Sequence, residues 1–113
     1  MQAVYIAISS GTFKIGYTKD ISDRFKRSSS AFRNVKEFKV LGWYEVEEGK
    51  KLEGFLHTFF KSQKSDLGTE WFRIKLPQFH NAVQIGSYKL GFDVTWVEKE
   101  IRVSVGDKNL HMM

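Results

Sequence analysis

The 113-residue sequence has no cysteine, a single proline and no long apolar run. Without cysteine, a disulfide scaffold, a zinc site built on thiolates and a cysteine nucleophile are all excluded. A membrane-spanning helix needs about 20 consecutive apolar residues, and no stretch of the sequence approaches that length. The first residues also lack the basic segment that opens a secretory signal, so we expect no membrane association and a cytoplasmic location.

Composition indicates one globular domain, because 42% of the residues are apolar and 27% are charged. Common catalytic signatures are missing: the sequence has no phosphate-binding Walker loop, no GxGxxG, no GxSxG and no HExxH. The three histidines, His57, His80 and His111, are scattered along the chain. We expect His80 and His111 to be ordinary surface or boundary residues.

Positive charge is concentrated in one segment of the chain. The whole sequence has a net charge of +5, and residues 14–39 contain eight bases and three acids, so this segment carries the entire excess. Such a segment is typical of a surface that binds a polyanion, most often nucleic acid, although a solvated basic surface has the same pattern. The basic residues predicted to bind nucleic acid are Lys14, Lys19, Lys26, Arg27, Arg33, Lys36 and Lys39.

Hydrophobic periodicity and turn residues predict an alternation of strands and helices. The predicted elements are a hairpin over 3–8 and 13–17, a helix over 21–30, a strand over 37–46, a helix over 48–64, an extended run over 70–74, a helix over 78–90 and one strand or a hairpin over 93–105. This order indicates an α/β sandwich with a central mixed β-sheet flanked by helices. Pro77 marks a boundary, so we divide the chain into 1–76 and a C-terminal α-β extension over 77–113, packed on the same domain.

The helix over 48–64 is the clearest predicted element. Its core stripe falls at helical spacing on Leu52, Phe55, Leu56, Phe59 and Phe60. Glu53 is expected at the edge of this stripe, with His57 one turn further along. A carboxylate in that position is partly desolvated yet accessible, as working carboxylates are; alternatively, Glu53 forms a structural pair with Lys50 or His57.

A set of short motifs occurs in order along residues 3–75. They are Ala3-Val4-Tyr5, Lys14-Ile15-Gly16, Thr18-Lys19-Asp20, Arg24, Leu52-Glu53 with His57, and Glu70-Trp71-Phe72. This ordered set resembles the GIY-YIG endonuclease superfamily, and its Lys-Ile-Gly and Glu-Trp-Phe motifs are similar to a small phage and bacterial branch. The resemblance implies a GIY-YIG-like nuclease domain over 1–76, in the host cytoplasm if the protein is encoded by a phage.

The activity implied by this resemblance is that of a metal-dependent DNA endonuclease, a hydrolase of phosphodiester bonds. Tyr5 would orient or deprotonate the attacking water, Arg24 would stabilise charge on the scissile phosphate, and Glu53 would hold Mg²⁺ or Mn²⁺. The catalytic residues implied in this way are Tyr5, Lys14, Tyr17, Arg24, Glu53 and His57.

Departures from the family pattern leave further functions open. Lys14 stands where the family has a tyrosine, and Tyr17 lies three places further on. An ammonium beside a phenol favours the phenolate, so Lys14 could support Tyr5, or the chemistry could be lost and nucleic-acid binding retained.

Residues 78–113 could also form a homodimer interface, and the chain could instead be a small phage protein that binds a host protein. An exposed apolar patch would favour binding to a host protein. The residues of such a patch would be Phe79, Val83, Trp96 and Ile101.

Overall fold

The computed structural model describes residues 2–20, 37–68 and 70–104. The described elements are β1 Gln2–Ser9, β2 Thr12–Thr18, β3 Glu37–Val46, α1 Gly49–Phe59, a 3₁₀ helix Lys61–Gln63, β4 Trp71–Phe72, α2 Leu76–Leu90 and β5 Val94–Ser104. The helix predicted over 21–30 lies outside the described residues. Within the described ranges, no helix is both long and apolar enough to cross a membrane.

The described strands form one five-stranded sheet in the order β4-β2-β1-β3-β5, and every neighbouring pair is antiparallel. The prediction of an α/β fold is confirmed, whereas the prediction of a mixed sheet is wrong. The alternation of strands and helices suggested parallel crossovers. Instead, α2 follows β4 at one edge of the sheet and leads to β5 at the opposite edge, where β5 runs antiparallel to β3.

A tight turn joins β1 to β2, as predicted from its residues. Ser10 and Gly11 both have positive φ angles, 51° and 76°, which a two-residue type I′ hairpin turn requires. Ser9 pairs with Thr12 directly beside the turn, so the register of the hairpin is set there. Tyr5 consequently faces Gly16 across the two strands.

Helix α1 is shorter than predicted. It ends at Phe59 and is followed by the 3₁₀ helix, so the prediction of one helix over 48–64 is wrong at its C-terminal end. Leu52, Leu56 and Phe60 are buried as expected, but Phe59 is 44% exposed. The continuous stripe fails at Phe59 because the chain leaves the α-helix at Phe60, whose ring is directed into the core instead.

Helix α2 and β5 agree with their predictions to within two residues. Pro77 lies in the first turn of α2, and Gly91 ends the helix in the left-handed conformation with a φ of 79°. Residues 94–104 form one strand rather than a hairpin. Phe79 and Val83 are fully buried, so the exposed apolar patch that would favour a host-protein partner is absent from this part of the described chain.

The sheet is buried on both faces. Both described helices pack on one face, which we call the helix face, where Leu52, Leu56 and Phe79 belong to the same buried cluster as Val4 and Ile6. A second cluster occupies the opposite face, which we call the Tyr5 face. Its buried members are Ala3, Tyr5, Ala7, Phe38, Val40, Trp43 and Trp71. Trp43, Tyr44, Trp71 and Phe72 are therefore core residues.

The Tyr5 ring lies directly over Gly16. A Cβ atom on residue 16 would lie 2.2 Å from Cζ of Tyr5 and 2.3 Å from its hydroxyl oxygen. Because Tyr5 is fully buried, its ring has little room to move away. Gly16 is thus required by the ring's position.

We predict that Gly16→Ala lowers the free energy of unfolding by about 1–3 kcal/mol, the usual cost of overpacking. Gly54→Ala is the matched control, because no atom lies within 4 Å of the added Cβ in α1. That control should be more stable than wild type by about 0.5–1 kcal/mol, since alanine favours helix over glycine. Urea unfolding measures both. A Gly16→Ala protein as stable as wild type would show that the ring is not fixed there.

Candidate functional site

One edge of β2 gathers groups from three other parts of the chain. Strand β4 covers only Phe13 and Lys14 of β2. Just beyond that pairing, the backbone N–H of Ile15 donates to the carbonyl oxygen of Glu70 at 3.1 Å. Nε2 of His57, on α1, donates to the carbonyl oxygen of Ile15 at 2.9 Å. The Ile15 backbone thus joins β2 both to the loop before β4 and to α1.

Lys14 is fully buried and forms an ion pair with the carboxylate of Glu70. Glu70 itself is 40% exposed, so the pair extends from the interior of the domain to its surface. An ammonium removed from water needs a partner of opposite charge, and Glu70 provides one. This ion pair fixes the positive charge at the β2 edge.

Lys14 and Tyr5 share the Tyr5 face. Lys14 and Gly16 are two residues apart on β2, and Gly16 is directly opposite Tyr5, so all three side-chain positions lie on the same face of the sheet. Nζ of Lys14 is 5.8 Å from the centre of the Tyr5 ring, which is within the range of a cation–π contact. The structure therefore brings together the two residues that the resemblance linked.

Glu53 reaches the same region from α1. Its Oε2 atom is 3.9 Å from Nε2 of His57, and the two side chains are 18% and 23% exposed. Burial raises the pKa of Glu53 and the nearby charge of Glu70 raises it further, while the charges of His57, Lys14 and Lys50 oppose both effects. Glu53 is thus a half-buried, surface-accessible carboxylate among both positive and negative neighbours.

The remaining predicted site residues differ in where they lie and in whether the structure describes them. Tyr17 lies on the opposite face from Tyr5 and packs against Gly49, where a Cβ would be 2.8 Å from its ring. Lys19 is exposed, and Lys39 forms an ion pair with Glu100 of β5 at 3.7 Å. The other predicted contacts lie outside the described residues and stay predictions, namely Arg24, Lys26, Arg27, Arg33 and Lys36.

Glu70 is the site residue that sequence reasoning missed. The sequence presented it only as the first letter of the Glu-Trp-Phe motif, without a role. The sequence feature that could have indicated it is a charged residue directly before two apolar ones, which form the buried strand Trp71–Phe72. Lys14, the partner of Glu70, is 56 residues away along the chain, so the spacing of residues did not disclose the pair.

The residues present suit a cation that brings most of its own ligands. The part of the chain that the structure describes holds no group of three or more His, Cys, Asp or Glu side chains able to bind a metal ion. Mg²⁺ is often bound through one or two carboxylates, with water and substrate phosphate oxygens as its other ligands. Glu53 fits that requirement because its carboxylate is partly exposed, and because burial and the charge of Glu70 raise its pKa, so that a nearby cation would favour its ionised form.

Fold and site together define a small α/β domain with a charged cluster at one sheet edge. Residues 2–86 match the profile of the T5orf172 domain, and the matched range covers well over half of the chain. The chain therefore belongs to the T5orf172 domain family. No curated protein and no solved structure matches it.

This match corrects the family assignment made from the sequence motifs. The T5orf172 domain is a different family from the GIY-YIG endonucleases, so the assignment to that superfamily is wrong. Its basis was a set of two- and three-residue motifs, each of which is too short to identify a family. Membership of the T5orf172 family points more generally to a phage-type nuclease or nucleic-acid-binding domain.

We predict that Glu53→Gln is as stable as wild type, or more stable, at about pH 7. A carboxyl group whose pKa is raised by folding stabilises the native state below its ordinary value of 4.5, and this contribution is lost as the pH rises through the native pKa. Glutamine does not titrate, so Glu53→Gln does not lose stability in this way as the pH rises. Any stability advantage of the variant over wild type should therefore disappear at about pH 4. Urea unfolding at the two pH values measures the difference.

Glu48→Gln is the control for this prediction, because Glu48, the residue directly before α1, forms an exposed ion pair with Lys51 of that helix at 3.1 Å. Its loss should cost less than about 1 kcal/mol at neutral pH. If Glu53→Gln destabilises the protein more than Glu48→Gln does, Glu53 is a structural partner of His57 or Lys50.

Proposed function

We propose that this domain hydrolyses phosphodiester bonds in DNA, nicking or cutting it with the help of Mg²⁺ or Mn²⁺. The observation that carries the proposal is the meeting of Glu53, His57, Lys14 and Glu70 at the edge of β2. A carboxylate beside an imidazole can bind a cation next to a phosphate, and the ion pair of Lys14 with Glu70 lies close behind them. The nuclease or nucleic-acid-binding character of the T5orf172 family agrees with this chemistry.

In this proposal Glu53 is the residue that holds the cation. The bound cation would neutralise charge on the phosphate and its leaving oxygen. The hydrogen bond from His57 to the Ile15 carbonyl fixes the imidazole, so that its Nε2 atom carries a proton and lies near the Glu53 carboxylate.

Lys14 and Tyr5 lie behind Glu70, on the interior side of the site. An ammonium near a phenol favours the phenolate, the form of Tyr5 able to accept a proton from water. Tyr5 is fully buried, so substrate binding has to open a path from its hydroxyl to the attacking water. We propose that Arg24 stabilises the phosphate charge and that the basic residues between Lys19 and Lys39 bind the DNA backbone.

Incubation with supercoiled plasmid tests the proposal. Wild-type protein should relax or linearise the plasmid with Mg²⁺ or Mn²⁺, and a chelator should stop the reaction. Glu53→Gln should be slower by about 10²-fold or more, since it removes the proposed metal ligand and a charge at the reacting centre. Glu48→Gln should cut at the wild-type rate, because its carboxylate lies on the exposed surface.

Two outcomes would contradict the proposal, the first on the role of Glu53 and the second on cleavage itself. If the Glu53→Gln variant still cleaves the plasmid, Glu53 is ruled out as the essential carboxylate. Absence of cleavage by wild type with either cation, combined with DNA binding that weakens as salt is raised, would instead identify a nucleic-acid-binding module without catalysis.

A further inference from the structure

Burial of Lys14 places a strict requirement on its surroundings. Removing the partner of a buried charge is strongly destabilising, because the remaining charge is left without compensation. Lys14 is fully buried, and the Glu70 carboxylate is bound directly to its ammonium. The location of the Glu70 carboxylate therefore influences where the Lys14 charge lies.

Backbone contacts hold Glu70 in place. Its carbonyl oxygen accepts a hydrogen bond from Ile15, the residue next to Lys14 on β2. Directly after Glu70, Trp71 pairs with Lys14 in the short β4 ladder. The two residues of the ion pair are thus fixed to each other by their main chains, which limits the conformations that the long Lys14 side chain can adopt.

On the opposite side of this ion pair is Tyr5. The ammonium that Glu70 binds is 5.8 Å from the centre of the Tyr5 ring. A displacement of about 1 Å in a reacting group can reduce a rate about 10²-fold, so control of the Lys14 position would control its effect on Tyr5.

We infer that Glu70 is a positioning residue, which holds the Lys14 ammonium beside the Tyr5 ring and acts on the reaction through Lys14. This inference rests on the proposed function for its kinetic consequences, while the geometry that it describes can be tested without activity. The role differs from that of Glu53, whose carboxylate is directed to the cation in the proposed mechanism.

Cleavage kinetics give the first test, with Glu70→Gln as the variant. Its kcat should fall about tenfold or more while KM and the affinity for DNA change less than about twofold, because the binding surface is retained and only the reacting geometry is altered. Glu70→Asp should recover part of the rate, since it restores the charge. Asp66→Asn is the matched control: its carboxylate lies in the same loop and pairs with exposed Arg73 at 3.4 Å, so it should match wild type.

NMR of the tyrosine rings gives a second test that does not need cleavage. The chain has four tyrosines, so selective ¹³C-tyrosine labelling yields few signals. Glu70→Gln should shift the Tyr5 ring signals in the same direction as Lys14→Met, and Asp66→Asn should leave them unchanged. If wild type proves unable to cleave DNA, the proposed function fails, yet this comparison still decides whether Glu70 holds Lys14 beside Tyr5.

A double variant keeps the test valid if Glu70→Gln does not fold. Lys14→Met with Glu70→Gln removes both charges of the pair and should fold, because no buried ammonium is left without its partner. Its Tyr5 signals should match those of Lys14→Met alone if Glu70 acts only through Lys14. Different Tyr5 signals in these two proteins, unchanged Tyr5 signals in a folded Glu70→Gln protein, or an unchanged kcat in that variant would overturn the inference.

Discussion

The ion pair between Lys14 and Glu70 is the interaction on which the candidate site depends. A fully buried ammonium is tolerated only with opposite charge close by, and here that charge comes from the loop before β4. The pairing joins the edge of the sheet to a segment that contributes only two residues to it. Its ammonium lies 5.8 Å from the centre of the Tyr5 ring. Burial and the charge of Glu70 raise the pKa of Glu53, while the charge of Lys14 opposes this rise. One interaction thus connects the interior and the surface of the site.

The antiparallel sheet makes this arrangement possible because its two faces have different roles. Its helix face packs α1 and α2 in the larger core, whereas its Tyr5 face places Tyr5 and Lys14 side by side above Gly16. Glu53 and His57 on α1 approach the β2 edge from the helix face. There they lie near Lys14, whose side chain is on the Tyr5 face. The carbonyl of Ile15 is available to His57 because β4 ends before that point.

Local structure was predictable where local chemistry determines it. The Ser10-Gly11 turn, the β3 strand and the ending of α2 at Gly91 follow from turn residues, alternation and glycine at a helix end. Strand direction and the pairing of Glu70 with Lys14 depend on contacts between distant segments of the chain. Hydrophobic periodicity carries no information on such contacts. The family was wrongly assigned because Lys14-Ile15-Gly16 and similar short motifs carry little information. Glu53 was located at the edge of the core stripe from helical spacing alone, and its surroundings required the structure.

In the proposed mechanism, a cation and DNA meet where Glu53 and His57 of α1 lie beside the edge of β2. The most direct measurement of this meeting uses Mn²⁺ as a paramagnetic probe in backbone NMR, with a short duplex made resistant to cleavage. We expect the signals of Ile15, Gly16, Glu53 and His57 to broaden first, the broadening to require the duplex, and Glu53→Gln to abolish it. Broadening centred on β5, or the same broadening in Glu53→Gln, would contradict the mechanism.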